Sequence, residues 1–149
     1  MPGVTLITKD QIQARLAEMG REITADYAGT NPIVALDFIQ VSSYGNEKYS
    51  SGVVTILKEP QLDMTNRAVL IVEDIIDSGL SMREVFRYIE SRGASIVRTA
   101  TFLDKPAARR VDFRANYVGF SIDPQFVIGY GLDYAERYRN IPEIQVLSE

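Results

Sequence analysis

The segment that decides the fold is Val69-Leu70-Ile71-Val72-Glu73-Asp74-Ile75-Ile76-Asp77-Ser78-Gly79-Leu80-Ser81. Its first four residues form a short, continuous apolar run, which is the pattern of a strand buried on both faces of a parallel sheet. Two adjacent acids follow, and then a turn with one glycine and two serines. Beyond the turn, apolar residues recur at helical spacing from Met82 to Ile89, and this helix ends near Gly93. The segment therefore predicts a strand, a short polar turn and a helix.

The turn has the chemistry of an anion site. In open α/β sheets, ligands bind at the carboxyl ends of the strands, and the free N–H groups at a helix N-terminus bind anions. Gly79 permits close approach of the backbone, and Ser78 and Ser81 add hydroxyl donors, so we expect a phosphate here. Glu73 and Asp74 would hold neighbouring sugar hydroxyls, directly or through Mg²⁺, which prefers oxygen ligands. The alternative is a junction whose acids and serines only cap the helix.

The rest of the chain alternates between helices and strands. Thr8 and Gln11 form a capping-box pattern, and helical spacing continues to about Tyr27. Further β-rich runs predict strands at 33–41, 53–57, 96–103, 117–122 and 126–128, with a long polar loop at 42–52. This alternation predicts an α/β fold with a mainly parallel sheet, in a single domain spanning residues 1–149.

The composition excludes several classes of site. The 149 residues include no cysteine and no histidine, which excludes thiol nucleophiles, disulfides, cysteine-ligated zinc and histidine bases. Acid–base chemistry must therefore fall to Asp, Glu, Lys or Tyr. The 16 basic and 20 acidic residues give a net charge of −4, which argues against a nucleic-acid partner. No apolar run is long enough for a membrane span, and the first residues lack a secretory pattern, so we expect a cytoplasmic protein.

The deciding segment closely resembles the phosphoribosyl pyrophosphate (PRPP) signature of type I phosphoribosyltransferases. Three further segments resemble the hypoxanthine-guanine branch of that family: 37–45 (DFIQVSSYG), 103–106 (LDKP) and 120–134 (FSIDPQFVIGYGLDY). Together the four segments extend the resemblance over nearly the whole chain. The resemblance implies the type I phosphoribosyltransferase fold: a mainly parallel sheet flanked by helices, a mobile flap loop and a small C-terminal hood.

The resemblance implies a role for each polar residue of the signature. Glu73 and Asp74 match the acids that contact the ribose hydroxyls. The loop that cradles the 5′-phosphate is matched by Asp77, Ser78, Gly79, Leu80 and Ser81. Asp77 also matches the residue that exchanges a proton with purine N7, and a carboxylate is the natural choice for that role in a chain without histidine. The alternative for Asp77 is a helix-capping role.

The resemblance also implies a purine site in the second half of the chain. Lys105 matches the lysine that recognises the purine 6-oxo group, and because a lysine only donates hydrogen bonds, it disfavours adenine. Phe126 matches the aromatic residue that stacks on the base, and the Val127 backbone would bond the ring edge. Asp133, in the same purine-binding segment, matches a Mg²⁺-site acid, and Arg139 matches an arginine that contacts pyrophosphate. Lys105 could instead be a solvated loop residue, and Phe126 a core residue.

The function implied by the resemblance is purine salvage. The phosphoribosyl group of PRPP moves to N9 of hypoxanthine, guanine or xanthine, with Mg²⁺ at Glu73, Asp74 and Asp133. The polar loop matches the flap over the reaction centre, with its signature at Ser43 and Tyr44, although a plain exposed hairpin loop is the alternative. The implied partners are these small-molecule substrates, in a homodimer or homotetramer. Two other functions stay open: a non-catalytic nucleotide- or RNA-binding regulator on this fold, and transfer to another base.

The chain departs from the family between its first predicted helix and the flap. The family carries a further strand, loop and helix there, and the loop has a Leu-Lys-Gly or Leu-Arg-Gly motif that contacts pyrophosphate. No such motif occurs in this chain. Roughly twenty residues, about the length of a strand, a loop and a helix, are missing after Asn31-Pro32. The departure predicts that activity persists with weaker PRPP binding, and that the sheet lacks one strand unless residues 33–36 replace it.

Overall fold

The computed structural model describes residues 3–30, 35–43 and 54–147. Its two α-helices are α1 (Lys9–Asp26) and α2 (Leu80–Ser91). Its strands are β1 (Val4–Ile7), β2 (Gln40–Ser43), β3 (Val54–Lys58), β4 (Ala68–Ile76), β5 (Ile96–Asp104), β6 (Tyr117–Ser121), β7 (Val127–Ile128) and β8 (Ile144–Val146). A short 3-10 helix, Pro106–Ala108, follows β5. None of the described helices is long and apolar enough to cross a membrane.

The strands form three sheets. The main sheet is parallel with the order β4-β5-β6, and Ile76 pairs with Asp104 at its carboxyl end. β2 and β3 form an antiparallel hairpin. A small antiparallel sheet with the order β1-β8-β7 joins the first described strand to the last, and we call it the hood. The predicted α/β fold, with a parallel sheet, flanking helices and a hood, is confirmed.

Both helices begin as their sequences predict and bury one face. At the start of α1, the backbone N–H of Gln11 donates to the Thr8 hydroxyl (3.3 Å), and the backbone N–H of Thr8 donates to the side-chain oxygen of Gln11 (2.8 Å). These two bonds complete the capping box. Arg15 of α1 donates to the carbonyl oxygens of Val118 and Gly119 on β6. The second helix buries its predicted face against β4, through Met82, Val85 and Ile89.

The hood is attached to the carboxyl end of the main sheet by a shared apolar cluster. Its buried members are Ile7, Ile12, Leu103, Val127 and Ile144, which come from β1, α1, β5, β7 and β8. Because Leu103 precedes the end of β5, the cluster fixes the hood beside the point where β4 and β5 end. The fold therefore places the hood next to the polar residues that follow these two strands.

The predicted strand at 33–41 is wrong over most of its described length. Residues 35–39 lie in no strand, and β2 begins only at Gln40, while residues 31–34 lie outside the described residues. Leu36 is 83% exposed and Phe38 is 65% exposed. The Asp37 carboxylate between them accepts the backbone N–H of Gln61 (2.6 Å), which ties this segment to the loop after β3. The described part of 33–36 therefore does not replace the strand missing from the sheet.

The prediction that β4 is buried on both faces is also wrong. β4 lies at one end of the described sheet order, so one of its edges pairs with no strand in ranges 3–30, 35–43 and 54–147. On the two faces of this strand, Ile71 is buried, whereas Val72, whose side chain points to the opposite face, is 73% exposed. β4 is also longer than predicted, and Glu73 and Asp74 belong to it rather than follow it. Two strands, β1 and β8, were not expected from the sequence.

Candidate active site

A cup of backbone N–H groups lies where β4 passes into α2. β4 ends at Ile76, and α2 begins at Leu80 after the turn of Asp77, Ser78 and Gly79. Gly79, the N-cap of α2, has no side chain to cap the helix, and no acidic residue lies in its first turn. The Leu80 backbone N–H donates a long hydrogen bond to the Ser78 hydroxyl (3.4 Å). The positive end of the helix dipole and the N–H groups that Ser78 does not bind are available to an anion. Ser78 therefore makes one capping contact, and the alternative that the acids and serines only cap this helix stays open.

Gly79 allows the cup to close. It is the N-cap of α2 and has a φ of 79°, in the left-handed region that favours glycine. A Cβ atom at this position would lie 2.8 Å from Cδ of Arg109 and 3.2 Å from Cγ2 of Val111. The glycine therefore serves two needs: a left-handed turn, and close packing of the 109–111 segment against the cup.

Asp77 and Lys105 meet at the ends of the two neighbouring strands. The Lys105 ammonium lies 3.4 Å from the Asp77 carboxylate, and the Lys105 backbone N–H donates to the Ile76 carbonyl (2.9 Å). The Lys105 side chain is only 10% exposed, whereas that of Asp77 is 59% exposed. Lys105 is thus no solvated loop residue, and the described structure gives Asp77 a lysine partner in place of a helix-capping contact. A cation and an accessible carboxylate stand side by side.

Glu73 and Asp74 lie on β4 just before the cup. Burial, and then the neighbouring charge of Asp74, raise the pKa of Glu73 to about 7. The Glu73 carboxylate has no hydrogen-bond donor or cation as a partner among the described residues. Asp74 is exposed and accepts the Ile75 backbone N–H (2.7 Å). Glu73 is therefore a half-buried acid whose carboxylate has no donor among the described residues. It could accept hydrogen bonds from ligand hydroxyls.

Replacing Glu73 with glutamine is expected to stabilise the unliganded protein above pH 7. The folded-state pKa lies above the unfolded value near 4.5, so the folded chain binds more protons between these values, and its free energy of unfolding falls as pH rises through them. Glu73→Gln should therefore raise the free energy of unfolding by about 2 to 3 kcal/mol above pH 7 and change it very little below pH 4.5. Thermal unfolding at pH 4.5 and pH 8, with Glu90→Gln as the control, measures it. An equal effect at both pH values would contradict the assignment.

The hood presents two exposed aromatic rings. Phe126 and Tyr134 are each 53% exposed, and their rings meet edge to face with centroids 5.6 Å apart. The exposure of Phe126 excludes the alternative that it is a core residue. Val127, the next residue, is buried in β7, at one edge of the hood sheet. The hood thus offers an open aromatic face and a strand edge side by side.

Asp133 and Arg139, predicted for Mg²⁺ and pyrophosphate, form an ion pair with each other. The Arg139 guanidinium lies 2.8 Å from the Asp133 carboxylate and also donates to the Gly131 carbonyl (2.8 Å). The second Asp133 oxygen accepts the Glu136 backbone N–H (2.8 Å). Among the described residues, no group of three or more acids could hold a metal ion. Asp133 is therefore not clustered with Glu73 and Asp74.

Two predicted flap residues are described in part or not at all. The Ser43 backbone belongs to β2, while Tyr44 and the rest of the flap prediction up to residue 52 lie outside the described residues. The structure adds three residues to the neighbourhood of the site: Asp104, Arg109 and Tyr134. Arg109 in the sequence is one of two adjacent arginines in a polar loop, a pattern typical of a solvated surface. The contacts of Arg109 become visible only in the folded structure, where this loop packs against the cup.

Comparison with known proteins agrees with this geometry. The family model described as phosphoribosyl transferase domain matches residues 14–135. The hypoxanthine-guanine phosphoribosyltransferase of Bacillus subtilis is 42% identical over 95% of this chain and 91% of its own length. The crystal structure of a hypoxanthine-guanine phosphoribosyltransferase from Bacillus anthracis superposes with a TM-score of 0.92 at 35% identity, and the match covers 99% of this chain and all of the other.

A second kind of relative is much longer than this chain. A bifunctional TilS/HprT protein of Listeria innocua is 45% identical over 95% of this chain, but the chain spans only 25% of that protein's length.

The alignments also bear on the missing segment. That to the Bacillus subtilis protein spans 167 positions, whereas 95% of 149 residues is about 142, so about 25 aligned positions have no residue of this chain. With the family model, the relatives and the superposed structure in agreement, the chain belongs to the phosphoribosyltransferase family, in its hypoxanthine-guanine branch.

Proposed function

We propose that this chain transfers the phosphoribosyl group of PRPP to N9 of hypoxanthine or guanine, with xanthine as a third candidate, and releases pyrophosphate. The observation that carries the proposal is the Asp77–Lys105 pair beside the anion cup. O6 and N7 are neighbouring atoms on one edge of a 6-oxopurine. A lysine and a carboxylate 3.4 Å apart can face these two atoms together, with Lys105 donating to O6 and Asp77 accepting the proton of N7.

The β4 side of the site suits the sugar phosphate. The 5′-phosphate would accept hydrogen bonds from the cup and from the hydroxyls of Ser78 and Ser81. The ribose hydroxyls would donate to Glu73 and Asp74. Because Glu73 has a pKa near 7 without a ligand, donors arriving at its carboxylate would lower that pKa. PRPP binding near neutral pH would therefore release a proton from Glu73.

The hood side suits a planar base. The exposed face of Phe126 would stack on the purine, and the backbone of Val127 on the edge strand of the hood would meet the ring edge. Lys105 donates and cannot accept, so it would favour a carbonyl at C6 over the amino group of adenine. Base selection in this proposal thus depends on one buried cation and one exposed ring.

The bond changes require no covalent intermediate with the chain. The bond from C1 of the ribose to pyrophosphate breaks, and N9 of the base forms the new bond to C1. The proton on N7 leaves to the Asp77 carboxylate, which is exposed enough to reach it. A neutral Asp77 no longer attracts Lys105 by charge, so proton transfer would weaken the ion pair that exists before the reaction.

Mg²⁺ fits this site as an ion carried by the substrate. Glu73 and Asp74 lie together on β4, whereas Asp133 lies between β7 and β8, and no three acids among the described residues form a metal-binding group. Mg²⁺ commonly takes one or two carboxylates together with substrate phosphates and water. When bound, it would neutralise charge on the leaving pyrophosphate. Asp74 and Asp133 are the carboxylates available to it. An Asp133 engaged in this way would give up its ion pair and leave Arg139 free to meet pyrophosphate.

A spectrophotometric assay with PRPP, Mg²⁺ and each base in turn tests the proposal. We expect turnover with hypoxanthine or guanine and none with adenine. We also expect a higher KM for PRPP than that of the Bacillus subtilis relative under the same conditions, because about 25 aligned positions are missing here. No turnover with any base would overturn the proposal. If IMP or an RNA still bound, the regulator alternative would take its place.

In this proposal the chain acts as one phosphoribosyltransferase domain. The structure describes a single chain, so the homodimer or homotetramer implied by the resemblance stays a prediction. The cytoplasmic location stays a prediction as well.

A further inference from the structure

Arg109 connects the end of β5 to the cup. One arm of its guanidinium is ion-paired with the Asp104 carboxylate, and the other donates to the backbone carbonyl of Asp77 (2.5 Å). Both charged side chains are nearly buried, at 13% and 12% exposure. A planar guanidinium has several donors in a rigid fork, so it can bind two acceptors in fixed directions at once.

A second carbonyl of the cup is held from the same side. The backbone N–H of Arg110 donates to the Ser78 carbonyl (2.9 Å). The Asp77 and Ser78 carbonyls are consecutive, and both therefore point toward the 109–110 segment. The space that Gly79 leaves for the stem of Arg109 keeps this segment close to the cup.

The direction of these carbonyls fixes the direction of the N–H groups. In a trans peptide the C=O and the following N–H point in opposite directions across one plane. Holding the Asp77 carbonyl therefore turns the Ser78 N–H away from the 109–110 segment, and holding the Ser78 carbonyl does the same for the Gly79 N–H. Successive N–H groups presented on one side form an anion-binding concavity.

We propose that Arg109 is a positioning residue that orients the cup for the 5′-phosphate and holds the Asp77 backbone for proton transfer. The inference rests on the proposed function for its substrates. Asp104 is the anchor, because its carboxylate fixes the guanidinium at the end of β5, next to the end of β4. Lysine could keep the charge opposite Asp104, but its single ammonium cannot reproduce the fork that reaches Asp77 as well.

The test compares Arg109→Lys with Arg98→Met. Arg98 also lies on β5, where it pairs with Asp26 and Tyr117 near the opposite end of the strand, so its loss perturbs the fold without touching the cup. For Arg109→Lys we expect the KM for PRPP to rise about tenfold and kcat to fall about tenfold, with the KM for the base within twofold of wild type. Arg98→Met should lower the Tm and leave all three constants within twofold.

A second variant guards against a misfolded chain. Asp104→Asn combined with Arg109→Met removes both charges, so neither is left buried and unpaired. It should match or exceed the kinetic loss of Arg109→Lys while keeping a cooperative unfolding transition. The inference is overturned if both Arg109 variants fold and bind PRPP with the wild-type KM.

Calorimetric binding of IMP separates this inference from the proposed function. If the wild-type chain turns over no base, the proposed reaction fails, but the comparison of IMP affinity still tests the cup. Weaker IMP binding by Arg109→Lys than by Arg98→Met then supports the positioning role. Equal affinities for the two variants would refute it.

Discussion

Replacing Asp77 with asparagine is expected to lower kcat by about 10²- to 10⁴-fold, the usual contribution of a positioned general base. Asparagine keeps the size of the side chain but cannot take the N7 proton. The Asp77 backbone carbonyl stays on Arg109, so the turn should keep its shape. The affinity for IMP should therefore remain within a few-fold of wild type. Steady-state kinetics with hypoxanthine, together with calorimetry for IMP, measures both quantities.

The matched control for this variant is Asp10→Asn. Asp10 is an exposed acid in the first turn of α1, without a contact to the cup. It should leave kcat unchanged. An Asp77→Asn enzyme as fast as Asp10→Asn would remove Asp77 from the chemistry, even if every ligand still bound.

Replacing Lys105 with methionine is expected to raise the KM for hypoxanthine by about 10- to 150-fold, the range for one lost charge-assisted hydrogen bond. Methionine fills a similar volume in a site where the lysine side chain is only 10% exposed. The Asp77 carboxylate, which is 59% exposed, stays hydrated without its partner, so the loss of stability should be small. The KM for PRPP should change much less than that for the base.

Lys58→Met controls for the loss of one positive charge. Lys58 is exposed at the end of β3 and takes no part in the proposed site. Initial rates over a matrix of PRPP and hypoxanthine concentrations separate the two KM values. If Lys105→Met raised the PRPP value and spared the base value, the assignment of Lys105 to the 6-oxo group would be wrong.

The sequence could predict those parts of the fold that depend on local patterns. The capping box at Thr8 and Gln11, the buried face of α2 and the apolar runs of β5 and β6 are each determined by neighbours within a few residues. β1 and β8 were missed for the opposite reason. They are 4 and 3 residues long, and Val4 pairs with Val146 at the far end of the described chain. A single sequence contains no local signal for such a pair.

The wrong strand at 33–41 has a physical reason. Apolar, β-rich residues form a strand only when another strand supplies hydrogen-bond partners. Among the described residues, none pairs with 35–39, and Leu36 and Phe38 remain exposed. Val72 is exposed on β4, one edge of which has no partner strand among the described residues. Both predictions used apolar patterns that are typical of strands with partner strands beside them. In the alignment to the Bacillus subtilis relative, about 25 positions have no residue of this chain, and the sheet is correspondingly smaller.

The sequence predicts the part of the candidate site that directly follows β4. It does not predict the contacts made by loops from elsewhere in the chain. The glycine, serines and acids of the cup are consecutive in sequence, so their chemistry can be inferred from the motif. Arg109 brings together the end of β5, through Asp104, and the turn after β4, through Asp77, and the Tyr134 ring contacts the Phe126 ring eight residues before it. Such contacts depend on tertiary packing, which spacing along the chain does not encode.

The pairing of β1 with β8 and of β8 with β7 also sets an order of maturation. While the chain grows on a ribosome, residues 68–110, which contain both the cup and the Arg109 segment that holds it, emerge before Ile144. Val127 gains its neighbouring strand only when β8 has been made. A nascent chain would thus complete the proposed sugar-phosphate cup first, and β8 would complete the proposed base surface around Val127 afterwards.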